Sequence, residues 1–440
     1  MKNAKISYKT LRKKYPRFIY QKFFYEIKTG DLKISFVFKI ERSPPLQGCG
    51  GKSDIYFYPE IIIKKIDKSR IERLGKPALN NLIFHLGLIE MLSYWKATCS
   101  PEILIETGFL NKEQIKWWKN LIINGMGQFF YENKIDWRNP DFLTITNSSS
   151  VKINLAKTVF APLGPAVSEN KRYLVPIGGG RDSILTLELL KKRKKEINCF
   201  LVNPTESGKK VVRVAGIKNP VIVERSIDPK LLELNKRGYL NGHTPFTALL
   251  SFLSVFCAVL FDCKNVAFSN EKSANEGNVK YLGKIINHQY SKSSDFEKQF
   301  KYYCKKYLAR DINYFSFLRR YGELEISKMF IQYPQYFPVF SSCNVSLKKG
   351  GKWCRKCPKC LSVYMTLYPF LENKKLSKIF RKDLYENKNL LSLMKDLLGR
   401  GKEKPFECVG TFKESRLAFK FSRQKAKKSG KIPYLLTKVK

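Results

Sequence analysis

Six consecutive residues, Gly178-Gly179-Gly180-Arg181-Asp182-Ser183, have the types and order of a phosphate cradle. Glycines let backbone N–H groups approach an anion with no Cβ in the way. Asp182 and Ser183 suit the first turn of a following helix, whose free N–H groups and dipole point at the same spot. Arg181 adds a cation. An apolar run from Tyr173 to Ile177 precedes the glycines and a helical pattern from Ile184 to Lys195 follows them, so the segment reads as strand, turn, helix. A plain glycine-rich turn capped by Asp182 is the competing reading. The Gly-Lys-Ser/Thr ending of a Walker A loop is absent, and G-x-G-x-x-G fails.

Cys343, Cys354, Cys357 and Cys360 give C-x10-C-x2-C-x2-C. Two x2 steps put thiolates on a tight knuckle, and the upstream cysteine can close a tetrahedron around zinc at ~2.3 Å. A [4Fe–4S] cluster and four reduced thiols are the alternatives. Lys352, Arg355, Lys356 and Lys359 would offset the negative charge of a four-thiolate site. Scattered cysteines such as Cys99, Cys257 and Cys304 read as reduced core residues.

Groups for proton transfer are few, since the chain has three histidines. His243 and His288 fall in polar loops, where a functional and a structural role are both open. His85 sits in an apolar helical run and reads as a satisfied core residue. Glu271 follows a short strand, at the edge where parallel sheets bind ligands, and suits a general base or a magnesium ligand. A surface Glu pairing with Lys272 or Lys280 is the bland alternative. Arg319 to Glu323 reads either as an anion clamp or as a solvated charge run.

Short strands and helices alternate from about residue 171: strands at 197–202, 221–224 and 265–269, with an apolar helix from Phe246 to Phe261. The pattern predicts an α/β fold with a doubly wound parallel sheet. Strands at 32–40 and 54–64, with helices at 78–94 and 113–131, predict a smaller mixed α/β N-terminal domain. The expected organisation is residues 1–165 as that domain, 166–375 as the nucleotide-binding catalytic domain with its four-cysteine knuckle, and 376–440 as a basic, partly helical extension. The loop between the first two is expected at Asn147-Ser148-Ser149-Ser150. Ser422 to Lys431, rich in Lys and Ser, is expected to be mobile.

The formal charge is +45, from 82 Lys+Arg against 37 Asp+Glu. Such a field attracts polyanions, nucleotide substrates included. Much of the excess is Lys, which matches an AT-rich coding bias as well as it matches a nucleic-acid surface, so no stable nucleic-acid partner is expected. No apolar leader follows Met1 and no run reaches the ~20 residues of a membrane span. A cytoplasmic protein with no membrane association is the expectation.

The loop at 178–183 resembles the S-G-G-x-D-S loop of PP-loop ATP pyrophosphatases, with Gly178 where that family has Ser. Related PP-loop enzymes that make 7-deazaguanine precursors carry a similar cysteine spacing. Further stretches resemble the ATP-dependent UDP-N-acetylmuramoyl-L-alanyl-L-glutamate epimerases of cell-wall synthesis. They are His85-Leu86-Gly87-Leu88, Ser93-Tyr94-Trp95-Lys96 and Val175 through Ser183. Glu233 through Gly238 follows, running into Asn241-Gly242-His243-Thr244-Pro245. Then come Asn270-Glu271-Lys272-Ser273-Ala274, Asn287 through Lys292, Phe340 through Asn344, Trp353 through Cys360, and Lys404 through Gly410. Arg181 stands where that family is expected to have Lys, and Thr411 where it is expected to have an acidic residue.

The resemblance implies inversion of the terminal L-Glu of a UDP-muramoyl dipeptide to D-Glu, using ATP and Mg²⁺ and releasing AMP and pyrophosphate. On that reading Gly178, Gly179, Gly180, Arg181, Asp182 and Ser183 bind the nucleotide. His243, Glu271 and His288 are candidates for proton transfer at Cα, with Cys408 a further one. The cysteine cluster is structural. Two other readings compete: a PP-loop enzyme acting on tRNA or a deazaguanine base, and a non-catalytic basic binding protein.

Overall fold

The computed structural model describes residues 5–44, 54–148, 171–345 and 352–439. Ser149, Ser150 and the expected boundary at 165/166 lie outside them.

Among the described residues, alternating and β-branched runs give thirteen strands in chain order. They are β1 (Arg17–Lys28), β2 (Asp31–Glu41), β3 (Ile55–Phe57), β4 (Glu60–Ile63), β5 (Glu102–Ile105), β6 (Thr144–Asn147), β7 (Tyr173–Pro176), β8 (Ile197–Val202), β9 (Val221–Ser226), β10 (Asn265–Phe268), β11 (Val279–Tyr281), β12 (Lys284–Ile286) and β13 (Asn313–Ser316). Strands β11 and β12 form a separate antiparallel ribbon. The others make one sheet in the order β13-β10-β7-β8-β9-β4-β2-β1-β5-β6, with β3 beside β2.

From β13 to β9 every pairing is parallel. Numbered within that half, the spatial order is 5-4-1-2-3, so the winding reverses between β7 and β10. The helix Arg181–Lys192 after β7 joins one apolar core, while Phe246–Leu260, which leads into β10, joins another. A reversal of this kind opens a crevice outside the carboxyl ends of the two strands. The glycine turn follows β7 and Glu271 follows β10, so the candidate residues flank that crevice.

The strands expected in an N-terminal domain continue this same sheet. Ile61, Ile62 and Ile63 of β4 pair antiparallel with Arg225, Glu224 and Val223 of β9. A buried isoleucine run there covers an edge that would otherwise expose unpaired backbone groups. The sheet is therefore mixed, with parallel pairings in the majority.

Thr411 accepts a hydrogen bond from the Glu414 N–H, and Glu414 bonds back to the Thr411 N–H, a capping box that starts the helix Phe412–Lys428. This corrects the expectation of a mobile Ser422–Lys431, because Ser422 and Ala426 are buried on that helix. Among the described residues no helix is long and apolar enough to cross a membrane.

Candidate active site

The glycine turn is tight on two sides and open on the third. Gly179 takes φ +93°, and a Cβ there would stand 2.6 Å from Ser207 Oγ. A Cβ on Gly180 would stand 2.6 Å from Ser342 Oγ, whereas one on Gly178 would meet nothing within 4 Å. Gly180 caps the helix Arg181–Lys192 without a side-chain hydrogen bond. Among the described residues no backbone carbonyl accepts from the N–H groups of the three glycines. Free amides beside open space at a helix N-terminus fit an anion.

Arg181 does not face that space. Its guanidinium is 1% exposed and pairs with Glu323, equally buried. It also donates to Ser327 Oγ and Thr366 Oγ1, both at 2.7 Å, and to Asp182 Oδ1 at 3.1 Å. Asp182, a quarter exposed, stays at the mouth. Burial raises its pKa, but Arg181, Lys359 and Lys292 outweigh that and hold the carboxyl below its usual value. Ser183 is turned back, donating to Gly180 O at 3.0 Å.

Lys292 ties the other candidates together. Burial opposes its charge, yet Cys408, Glu271 and Asp182 together raise its pKa above the usual lysine value. The same ammonium helps to lower His243 and His288. Four sequence candidates, Asp182, Glu271, His243 and His288, thus lie within electrostatic range of one cation. Lys292 Nζ is 3.1 Å from Cys408 Sγ. Glu271 is 4% exposed and accepts from Ser273 Oγ at 3.1 Å, so it is not a surface residue pairing with Lys272 or Lys280. Arg319 is no free clamp. It forks onto Glu297 and donates to the carbonyls of Glu271 and Lys292 at 2.9 and 2.6 Å, which fixes the backbone of both.

The two loop histidines lie side by side, with ring centroids 4.5 Å apart and their planes tilted by 52°. His288 Nδ1 is 2.5 Å from Gln128 Oε1. Gln128 Nε2 donates to Glu132 at 2.7 Å, which fixes the amide so that its oxygen faces the ring. His288 therefore carries its proton on Nδ1 and leaves the Nε2 lone pair free. His85 is a satisfied core residue, with Nδ1 2.8 Å from Asn81 O and Nε2 3.3 Å from Gln114 Nε2.

Burial is the largest cause lowering His85 to about 4, His243 to about 3 and His288 to about 4. Unfolded, all three would titrate near 6.5. The unfolded chain then binds more protons below that pH, so the stability these groups carry is intact above about 6.5 and is lost as pH falls towards 4. Calorimetry in two buffers at pH 5.5 is expected to show uptake of about two to three protons on unfolding. Uptake below one would contradict the neutral burial of these rings.

Residue patterns alone did not single out Lys96, Lys292 or Gln128, and gave Lys359 only as a counter-charge to the cysteine cluster. Lys96 interrupts a buried run, donates to Gly242 O at 2.9 Å, and is lowered by burial, then by Arg225, to about 8. A lysine closing an apolar helix was the available signal.

The four cysteines of the cluster do meet. Their sulfurs all lie within 4.8 Å of one another and can hold a metal ion. Three of the pairs are 3.8, 3.7 and 3.5 Å apart. The cluster adjoins the site: Lys359, in the first turn of the helix Pro358–Leu367, reaches the carbonyl of Cys408.

The matching family models are the MurL N-terminal domain over residues 9–317 and the MurL C-terminal domain over 339–437. Similar curated proteins are each named UDP-N-acetyl-alpha-D-muramoyl-L-alanyl-L-glutamate epimerase. That of Xanthomonas oryzae pv. oryzae is 32% identical over 339 residues, 76% of this chain and 72% of the relative. Those of a Micromonospora species and of Salinispora tropica are 32% and 33% identical over 343 residues, 77% of this chain and 74% and 72% of the relatives. The first family model spans both strands that flank the crevice and the second spans the cysteine cluster, so the chain belongs to the UDP-N-acetyl-alpha-D-muramoyl-L-alanyl-L-glutamate epimerase family, enzymes of the isomerase class.

Proposed function

We propose that this chain inverts the terminal L-Glu of UDP-N-acetylmuramoyl-L-Ala-L-Glu to D-Glu for peptidoglycan precursor synthesis, with ATP and Mg²⁺ activating the carboxylate next to Cα. The names of the similar proteins support the substrate. The observation that carries the chemistry is the grouping of Asp182, Glu271, His243 and His288 around Lys292 at the crevice between β7 and β10.

An α-proton beside a free carboxylate is hard to remove, because a second negative charge would build next to the first. ATP supplies an adenylyl group that masks this charge, with pyrophosphate leaving and AMP later released. The amides of Gly178, Gly179 and Gly180 would hold the phosphates, and Asp182 would be a ligand to Mg²⁺. Glu271, buried beside the same ammonium, is either a second metal ligand or a base. His288 Nε2 takes or returns the Cα proton, and His243, whose ring centroid lies 4.5 Å away, is its relay. Lys292 stabilises negative charge as it develops. Arg181 serves the fold beneath the loop.

The test incubates the protein with ATP, Mg²⁺ and UDP-muramoyl-L-Ala-L-Glu, then measures AMP and the chirality of the released Glu. AMP formation with D-Glu is expected. Inversion that proceeds without ATP would sink the activation step, and no inversion in its presence would sink the reading.

The four-thiolate group is a structural zinc site. A tetrahedron with ~2.3 Å bonds spaces its sulfurs about 3.8 Å apart, close to the distances found here. A four-iron cluster interposes iron and sulfide and needs its thiolates farther apart. Metal analysis is expected to give about one zinc per chain, and a strong chelator to lower the melting temperature by several degrees. Iron with acid-labile sulfide would overturn the assignment.

A further inference from the structure

A cavity of about 350 Å³ lies behind the glycine turn, away from the histidines. Its inner wall includes Ser207, whose hydroxyl contacts the carbonyls of Gly179 and Val339 at 3.0 and 2.8 Å. Lys210, Lys352, Arg355, Lys378 and Arg381 converge on it from three separate segments. Among the described residues none of these five makes an ion pair or a side-chain hydrogen bond. Glu206, the acidic residue at the rim, is taken by Lys209 at 3.0 Å. Phe337 and Trp353 supply an apolar side.

Unpaired lysines are ordinary on a chain of charge +45. Two features set this cavity apart. Its cations come together on one concave volume of small-molecule size. Both of its arginines also sit in left-handed backbone, Arg355 at φ 62° and Arg381 at φ 58°. Glycine or asparagine would meet either turn with less strain. Arginine there brings a planar fork suited to phosphate oxygens, at a local cost in backbone energy.

We propose that this cavity binds the phosphates of a nucleotide, with the base against Phe337 and Trp353. A track for nucleic acid would need an extended groove rather than a single compact pocket. Two nucleotides offer this chemistry, the uridine diphosphate end of the epimerase substrate and, were the glycine amides not its site, ATP. Only the choice between them rests on the proposed function.

Calorimetric titration of the full chain with UDP and, separately, with a non-hydrolysable ATP analogue tests the site. Arg381→Glu and Lys210→Glu are both expected to weaken one of the two nucleotides at least ~10-fold, while Lys374→Glu changes it less than ~2-fold. Lys374 is exposed on the same helix as Lys378 and does not line the cavity, so it controls for charge alone. Loss confined to UDP assigns the substrate, and loss confined to the ATP analogue assigns ATP. Unchanged binding of both nucleotides in both variants, equal loss in the control, or no binding by the unaltered chain overturns the proposal. Inversion of the dipeptide with an unchanged KM in Arg381→Glu would remove the cavity and leave the epimerase reading standing. UDP binding that depends on Arg381 without any inversion would do the reverse.

Discussion

His288→Gln is expected to cut inversion of the dipeptide by about 10²–10⁴-fold, the range ascribed to a positioned acid–base group, while AMP release continues. Asp182→Asn is expected to abolish both together. The difference follows from where the two side chains stand. Asp182 is in the first turn after the glycines and is held ionised by Arg181, Lys359 and Lys292 against the cost of burial. Its loss removes a metal ligand before any activation occurs. His288 is fixed by Gln128 with a free Nε2 and is kept neutral at pH 7 by burial first and by Lys292 next. Its loss leaves the activated substrate with no base. Separate assays of AMP and of Glu chirality read the two steps. Inversion within threefold of the unaltered rate in His288→Gln, with the melting temperature preserved, would remove His288 from the reaction and pass the role to Glu271 or Cys408.

The parts of the fold that were legible from sequence are those dictated by local pattern. The strands at β7, β8 and β10, and the apolar helix Phe246–Leu260, fall within a few residues of the positions their patterns give. The reach of β1 and the pairing of β4 with β9 were not legible. Beyond the buried Phe18–Tyr20, β1 alternates half-buried and exposed residues with Lys22, Phe24, Glu26 and Lys28 on its open face, and while β2 is its neighbour in the chain, its pairing with β5 is a long-range matter. Of the site, the types and loop positions of Asp182, Glu271, His243 and His288 were visible in the chain. The direction of Arg181 was not, because a guanidinium at the head of a helix can point to the loop or beneath it. Only the positions of Glu323, Ser327 and Thr366, more than a hundred residues away, decide which. Lys292 was hidden for the same reason. A lysine in a basic chain carries no local mark, and its importance comes from the acids and the thiol that the fold gathers round it.

Arg181→Met is expected to destabilise the protein by about 3–5 kcal/mol, the usual cost of removing one partner from a buried ion pair. In a chain of this size that lowers the melting temperature by about 3–5 °C. Both side chains of the Arg181–Glu323 pair are 1% exposed, and the guanidinium also satisfies the hydroxyls of Ser327 and Thr366. The variant leaves Glu323 buried with no cation and strips those two hydroxyls of a partner. Three helices meet at this point: Arg181–Lys192 under the loop, Glu323–Phe330, and Pro358–Leu367, which starts at the cysteine cluster. The damage is therefore expected in the junction rather than in nucleotide contact. Arg181→Met combined with Glu323→Leu should recover much of the lost stability, since an apolar pair of similar volume often replaces a buried ion pair without penalty. A phosphate-binding role predicts the opposite: an unchanged melting temperature, a raised KM for ATP, and no rescue by the second substitution. Melting curves of the three variants beside ATP titrations separate the two. Any weakening of ATP use that remains in the stable double variant would be carried through Asp182, whose carboxylate loses the neighbour 3.1 Å away that most favours its charge.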